Sequence, residues 1–248
     1  MPCLLLRDSK LVKTIKFKNP NYVGDPVNAI KIYNEKEVDE LIFLDITATV
    51  EKKKPNFKTI SEIASECFMP LSYGGGITNL EDMKTIFNLG AEKIAINSYG
   101  VENPSFITKA SEKFGSQSII VSIDVKKKLV GSYEVYTHSG TKNANMNPVD
   151  WAKKVEDLGA GEILLTSIDR DGTMEGYDLT LIKTVSESVN VPVIVCGGAG
   201  KIEDFAEAIQ AGASAVAAGS LVVYHGSAQG VLINFPTRDE LKKCGVIE

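Results

Sequence analysis

Eight apolar runs recur along the chain, separated by stretches whose apolar residues fall at helical spacing. The strand-like runs are Pro2–Leu6, Glu40–Ile46, Pro70–Tyr73, Lys93–Asn97, Ser118–Asp124, Glu162–Ser167, Pro192–Cys196 and Ser214–Ala218. Most show little polar alternation, the pattern of parallel strands covered on both faces. The amphipathic segments between them predict helices over Asp25–Val38, Asn56–Phe68, Asn79–Leu89, Asn103–Phe114, Pro148–Leu158, Leu179–Val189 and Ile202–Ala211, with a short last helix over Thr237–Cys244. Asn79-Leu80-Glu81-Asp82 has the form of a capping box, and Gly90 suits a C-cap. Strand–helix alternation of this kind predicts an α/β fold, a (β/α)8 TIM barrel. The sequence Asp39-Glu40-Leu41-Ile42-Phe43-Leu44 lines up with Gly161-Glu162-Ile163-Leu164-Leu165-Thr166. The halves, about 1–117 and 118–248, are therefore expected to repeat one half-barrel within a single domain. An open doubly wound sheet would not predict that repeat.

Three stretches interrupt the alternation. Residues 8–24 read as a long loop after the first strand. Lys127–His138 reads as a hairpin about Val130-Gly131-Ser132, and Val222–Pro236 is a long connection after the last strand. The first two follow the C-terminal ends of strands, where barrels of this type carry their chemistry.

Composition narrows the class. The chain has 248 residues, 44% hydrophobic, and its net charge of −5 argues against a nucleic-acid partner. Four cysteines without a Cys-x-x-Cys pair fit a reducing cytoplasm and no zinc site. No apolar run reaches the roughly 18 residues of a membrane span, and no signal peptide is evident. A cytoplasmic protein without cofactor or metal is expected.

Two glycine turns stand out. Gly74-Gly75-Gly76 and Gly197-Gly198-Ala199-Gly200 each close a strand, and each is followed, a strand later, by a small-residue turn, Asn97-Ser98 and Gly219-Ser220. Backbone amides at such turns form anion sites. Gly75, Gly76, Asn97 and Ser98 would make one cradle, and Gly197, Gly198, Gly219 and Ser220 the other. On opposite sides of one barrel mouth they would suit an elongated phosphorylated small molecule with a phosphate at each end.

Several carboxylates sit at strand ends. Partial burial among Val121, Ser122 and Ile123 would suit Asp124 to proton transfer; a structural carboxylate is the other reading. Asp45 reads as structural or substrate-positioning. Asp169-Arg170-Asp171-Gly172-Thr173 reads as a rigid turn whose aspartates either bind substrate hydroxyls or only shape the turn. Lys13, in the first long loop, either pairs with an anionic ligand or is solvated. His138 and His225 sit in no nucleophile or metal pattern and read as loop residues.

Gly24-Asp25-Pro26, Phe43-Leu44-Asp45-Ile46-Thr47-Ala48, Gly74-Gly75-Gly76-Ile77, Lys93-Ile94-Ala95-Ile96-Asn97, the long run Gly159–Thr173 and Gly197-Gly198-Ala199-Gly200 resemble the cyclase-subunit family of imidazole glycerol phosphate synthase over nearly the whole chain. The resemblance implies a bis-phosphate ligand held by the two cradles, with Lys13, Asp45, Thr166, Asp171 and Gly172 beside it. It also implies a glutaminase subunit of the class I amidotransferase type on the N-terminal barrel face, and ammonia passing through the core. Glu40, Lys93 and Glu162 match charged residues of the family's ammonia entrance. The chain starts close to the first strand, so the basic residue that completes that entrance is expected to be missing.

Two departures bear on activity. Family catalytic aspartates end strands 1 and 5. Asp124 matches the second, but in Cys3-Leu4-Leu5-Leu6-Arg7-Asp8-Ser9 a leucine, Leu5, stands at the first. Asp8 is a candidate replacement. The Val222–Pro236 stretch also differs, and with Cys196 it resembles the branch associated with amidation of bacterial surface sugars, which pairs with an ATP-using sugar amidotransferase. The leading expectation is thus an ammonia-conducting barrel serving sugar amidation. The alternatives are a histidine-pathway cyclase, with Asp124 and Asp8 as its catalytic pair, and a non-catalytic scaffold that activates the glutaminase.

Overall fold

The apolar runs become a ring of parallel strands because only a sheet covered on both faces can bury them. A computed structural model describes residues 1–128, 131–226 and 230–247. The ring strands are β1 (Cys3–Arg7), β2 (Leu41–Asp45), β3 (Leu71–Gly74), β4 (Lys93–Ile96), β5 (Ile119–Lys127), β6 (Glu162–Ser167), β7 (Val193–Cys196) and β8 (Ala215–Val216). Each pairs in parallel with the next, from β1–β2 round to β7–β8. A parallel bridge between Pro2 and Ala218 closes the ring, with Cys3 N donating to Ala218 O at 2.8 Å. The fold is a (β/α)8 barrel.

Among the described residues each strand is followed by an outer helix, α1 (Pro26–Glu35), α2 (Phe57–Glu66), α3 (Leu80–Asn88), α4 (Ser105–Phe114), α5 (Pro148–Asp157), α6 (Leu179–Ser186), α7 (Glu203–Gln210) and the short α8 (Arg238–Lys243), and a further one-turn helix, Ser98–Glu102, directly follows β4. Their starts are written in the sequence. Asp25, Asn56, Asn79, Asn147 and Asp178 each accept a backbone N–H of the first turn, and Thr237 with Glu240 forms a full capping box. Inward faces such as Ile30 and Tyr33 of α1 and Met83 and Ile86 of α3 are wholly buried. Each such apolar side chain contributes about 1.5–3 kcal/mol of transfer free energy. A second core layer lies inside the ring, where Cys3, Ile42, Ala95, Ile120, Leu164, Ile194 and Ala217 meet. No helix among the described residues is long and apolar enough to cross a membrane.

The excursions sit on the C-terminal side. Residues 8–24 are not the expected loop but a hairpin, Lys10–Ile15 against Lys18–Gly24, whose first strand pairs antiparallel with β1. Its two turns, Asp8-Ser9 and Lys16-Phe17, all have positive φ without glycine, so no glycine marks them. After β5, Tyr133–Thr137 runs antiparallel to that strand and sets Tyr136 opposite Asp124. Val130 of the predicted turn lies outside the described residues. In the last connection Tyr224–His225 pairs with Gly230–Val231; Ser227, Ala228 and Gln229 of that stretch lie outside the described residues.

Candidate active site

A cavity of about 640 Å³ opens at the C-terminal end of the ring. Leu5, Lys13, Asp45, Gly75, Gly76, Asn97, Ser98, Asp124, Thr166 and Asp171 line it together with Cys3 and Cys196. β5 carries Asp124 into the cavity floor, where it is 9% exposed. Asn97 Nδ2 donates to its Oδ2 at 2.9 Å, and Ser122 Oγ reaches its Oδ1 at 3.5 Å. Burial pushes the Asp124 carboxyl up to about 7, and the negative Asp171 adds to the rise, against the pull of the Ser122 and Asn97 hydrogen bonds. A carboxyl poised there can both take and return a proton near neutral pH.

The first cradle is built around Gly75 and Gly76. Both have positive φ, and a Cβ on Gly75 would come within 2.5 Å of Asp45 O. Asn97 ties this cradle to the acid–base group: its Nδ2 holds Asp124 while its Oδ1 accepts from Ser98 Oγ at 3.1 Å. Ser98 Oγ in turn accepts the His138 N–H at 3.0 Å, so the loop after β5 rests on the cradle. The His138 ring also lines the cavity, with Nε2 3.6 Å from Glu102.

Asp45 caps a turn. Its Oδ1 accepts from Thr47 N, Ala48 N and Thr47 Oγ1 at 2.8–3.0 Å, and so shapes the loop after β2. Asp171 staples the first hairpin down: its Oδ2 takes Thr14 Oγ1 at 2.7 Å and Phe17 N at 3.1 Å. Gly172 is required there, because a Cβ would run into Thr14 O.

The second turn is set apart. Gly197, Gly198, Gly219 and Ser220 are not among the cavity-lining residues. Lys13 connects the two regions: 5% exposed, with no ion pair among the described residues, it places Nζ where a Cβ on Gly219 would stand. Leu5, on β1 beside Leu44, gives the cavity an apolar wall. Asp8 does not join Asp124 in the cavity lining. It occupies an exposed turn, 3.9 Å from Arg7, outside the cavity lining.

At the opposite end of the ring, Lys93 Nζ bonds Glu40 and Glu162, each at 2.9 Å, and Ser72 Oγ donates to Glu40 at 2.7 Å. Burial opposes the Lys93 charge, but the Glu162 and Glu40 carboxylates outweigh it and hold its pKa above the ordinary value. The three residues matched to a port therefore form one cluster. Residues that sequence reasoning did not single out are Thr14 and Phe17, which dock the hairpin, Ser139, whose Oγ donates to Ile46 O at 2.7 Å, and the cavity-lining run Lys52-Lys53-Lys54. Only that charge run after a strand end was visible beforehand.

Comparison with known proteins agrees with this geometry. The family described as "Histidine biosynthesis protein" matches residues 1–229. A putative imidazole glycerol phosphate synthase subunit hisF2 of Pseudomonas aeruginosa is 51% identical over 97% of this chain and 96% of its own length. A putative subunit HisF of Leptospira interrogans is 50% identical over 97% and 95%. The imidazole glycerol phosphate synthase subunit HisF of Alkaliphilus metalliredigens is 46% identical over 91% and 90%.

Proposed function

We propose, from the premise that the chain belongs to the histidine biosynthesis protein family, that it is the cyclase-type barrel subunit of a glutamine-dependent imidazole glycerol phosphate synthase. The observation that carries this reading is the Asp124–Asn97–Ser98 chain, which couples a proton-exchanging carboxyl to an anion cradle across one cavity. A glutaminase subunit docks on the face that exposes Glu40, Lys93 and Glu162, and its ammonia travels along the ring interior. At the mouth the Gly75–Gly76 turn and Lys13 hold the phosphorylated acceptor. Asp124 removes a proton from the attacking nitrogen and returns one to the departing group. In the family reaction the ribulosyl bis-phosphate precursor and ammonia yield imidazole glycerol phosphate and the aminoimidazole carboxamide ribotide.

One observation favours a second acceptor. Leu5 presents an apolar side chain where the family has an acid, and Asp8 points elsewhere. A single carboxyl suits a barrel that delivers ammonia to a different molecule, such as a surface sugar amidated by a separate ATP-using enzyme. A barrel that only activates its glutaminase would need no Asp124 at all. Purified protein supplied with ammonia and the bis-phosphate separates these readings. Imidazole formation supports the cyclase. Tight binding without turnover refutes it and leaves the second acceptor, which then requires that Asp124→Asn abolish sugar amidation in a reconstituted system.

A further inference from the structure

The turn between α2 and β3 carries an apolar side chain that the barrel itself does not bury. Phe68 is 85% exposed, more than Tyr22 at 64% or any other large hydrophobic residue among those described. It is also held still. Phe68 N donates to Asn34 Oδ1 at 3.2 Å, and Asn34 Nδ2 donates to Glu66 O at 2.7 Å, so one residue of α1 grips both sides of the turn. Within the turn, Cys67 N donates to Ala64 O and Cys67 Sγ to Met69 O, each at 3.3 Å. Single exposed apolar residues are ordinary on a protein surface, but one presented on a turn locked in this way is pre-organised for contact. Its position adds to this. Phe68 stands at the N-terminal end of the ring, two residues before Pro70, whose carbonyl accepts Leu41 N at 2.9 Å next to Glu40. Glu40 belongs to the Lys93 cluster. The neighbouring turn, Glu35-Lys36-Glu37-Val38-Asp39-Glu40, carries four acids against one lysine. Glu37 and Asp39 are exposed there and form no salt bridge among the described residues. A rigid aromatic ring with an acidic border therefore stands beside the port.

We propose that Phe68 is the anchor of the glutaminase interface: its ring fills an apolar pocket on that subunit, and basic residues bordering the pocket face Glu37 and Asp39. The inference rests on the proposed docking of a glutaminase on this face and is independent of which acceptor is used. It names the side chain that carries most of the affinity. Aromatic side chains buried at the centre of an interface dominate its energetics, and truncating such an anchor weakens binding by about tenfold or more.

The test is calorimetric titration of the full chain with the class I glutaminase subunit of the same organism, on the native protein, Phe68→Ala and Tyr22→Ala. Tyr22 is the next most exposed large apolar residue and lies in the first hairpin, on the opposite side of the barrel. Phe68→Ala should weaken binding by about tenfold or more, whereas Tyr22→Ala should stay within about threefold of the native protein. The melting temperature of free Phe68→Ala should match that of the native chain, since so exposed a ring packs on little of its own protein. Affinity should also fall as salt is raised, because exposed charges meet across the border. A loss of less than about tenfold in Phe68→Ala, with the native complex intact, overturns the anchor and leaves docking on this face standing. Salt-independent affinity overturns the basic border. No binding by the native chain, or a loss confined to Tyr22→Ala, overturns the docking face and the anchor together.

Discussion

Replacing Asp124 by Asn should make the protein more stable above neutral pH and inactive. The carboxyl is moved from an ordinary 3.8 up to about 7, chiefly by burial. At 1.36 kcal/mol per pKa unit, that is ~4 kcal/mol favouring the neutral form in the folded state. The folded pKa is raised, so the native chain binds more protons than the unfolded one between about pH 4 and 7, and stability falls as pH rises through that window. Asparagine keeps the shape and an oxygen for Asn97 Nδ2 or Ser122 Oγ, but carries no charge. Variant and native protein should therefore be equally stable near pH 4. They should diverge up to pH 7, and the variant should be more stable by as much as ~4 kcal/mol at pH 8, read by denaturant unfolding. Turnover with saturating ammonia should fall by about 10²- to 10⁴-fold, the usual contribution of a positioned acid–base group. A variant that is less stable than the native protein at pH 8, or that keeps turnover within about threefold, refutes the reasoning.

Other residues give sharp outcomes. Asp171→Asn weakens the staple on Thr14 Oγ1 and Phe17 N, costs about 1–3 kcal/mol, and should raise proteolytic cleavage near Lys16. Gly219→Ala pushes a methyl group into the Lys13 ammonium. It should weaken ligand binding by about tenfold, because the Lys13 end must move away and the Cys3 carbonyl, 3.1 Å from the added methyl, must give slightly; unchanged binding would contradict the placement of Lys13. Lys93→Met leaves Glu40 and Glu162 facing each other without their shared cation. Glutamine-supported turnover should drop in the reconstituted complex while turnover on added ammonia persists; an equal drop in both contradicts the placement of the port.

The barrel was legible because its strands are buried on both faces, so Leu41–Asp45 and Ile119–Asp124 read as nearly unbroken apolar runs. The last strand was the hardest to bound: only Ala215–Val216 qualifies, and the ring closes one turn of the pleat later, where Ala218 bonds Met1 O and Cys3 N. The first hairpin was hidden by its composition. Lys13 and Thr14 are polar yet buried, and its turns use Asp8, Ser9, Lys16 and Phe17 where glycine would have signalled a reversal. The burial of Asp124 could be read from its apolar neighbours. The Asp45 turn cap and the Asp171 staple could not, since a carboxylate that binds loop amides reads the same in sequence as one that binds a ligand.

The account depends on one carboxyl that changes charge near neutral pH at the cavity floor. Carbon-13 NMR of aspartate-labelled protein measures this directly. One carboxyl resonance should titrate near pH 7 and vanish in Asp124→Asn. Titration of every aspartate in the ordinary acidic range would contradict the account.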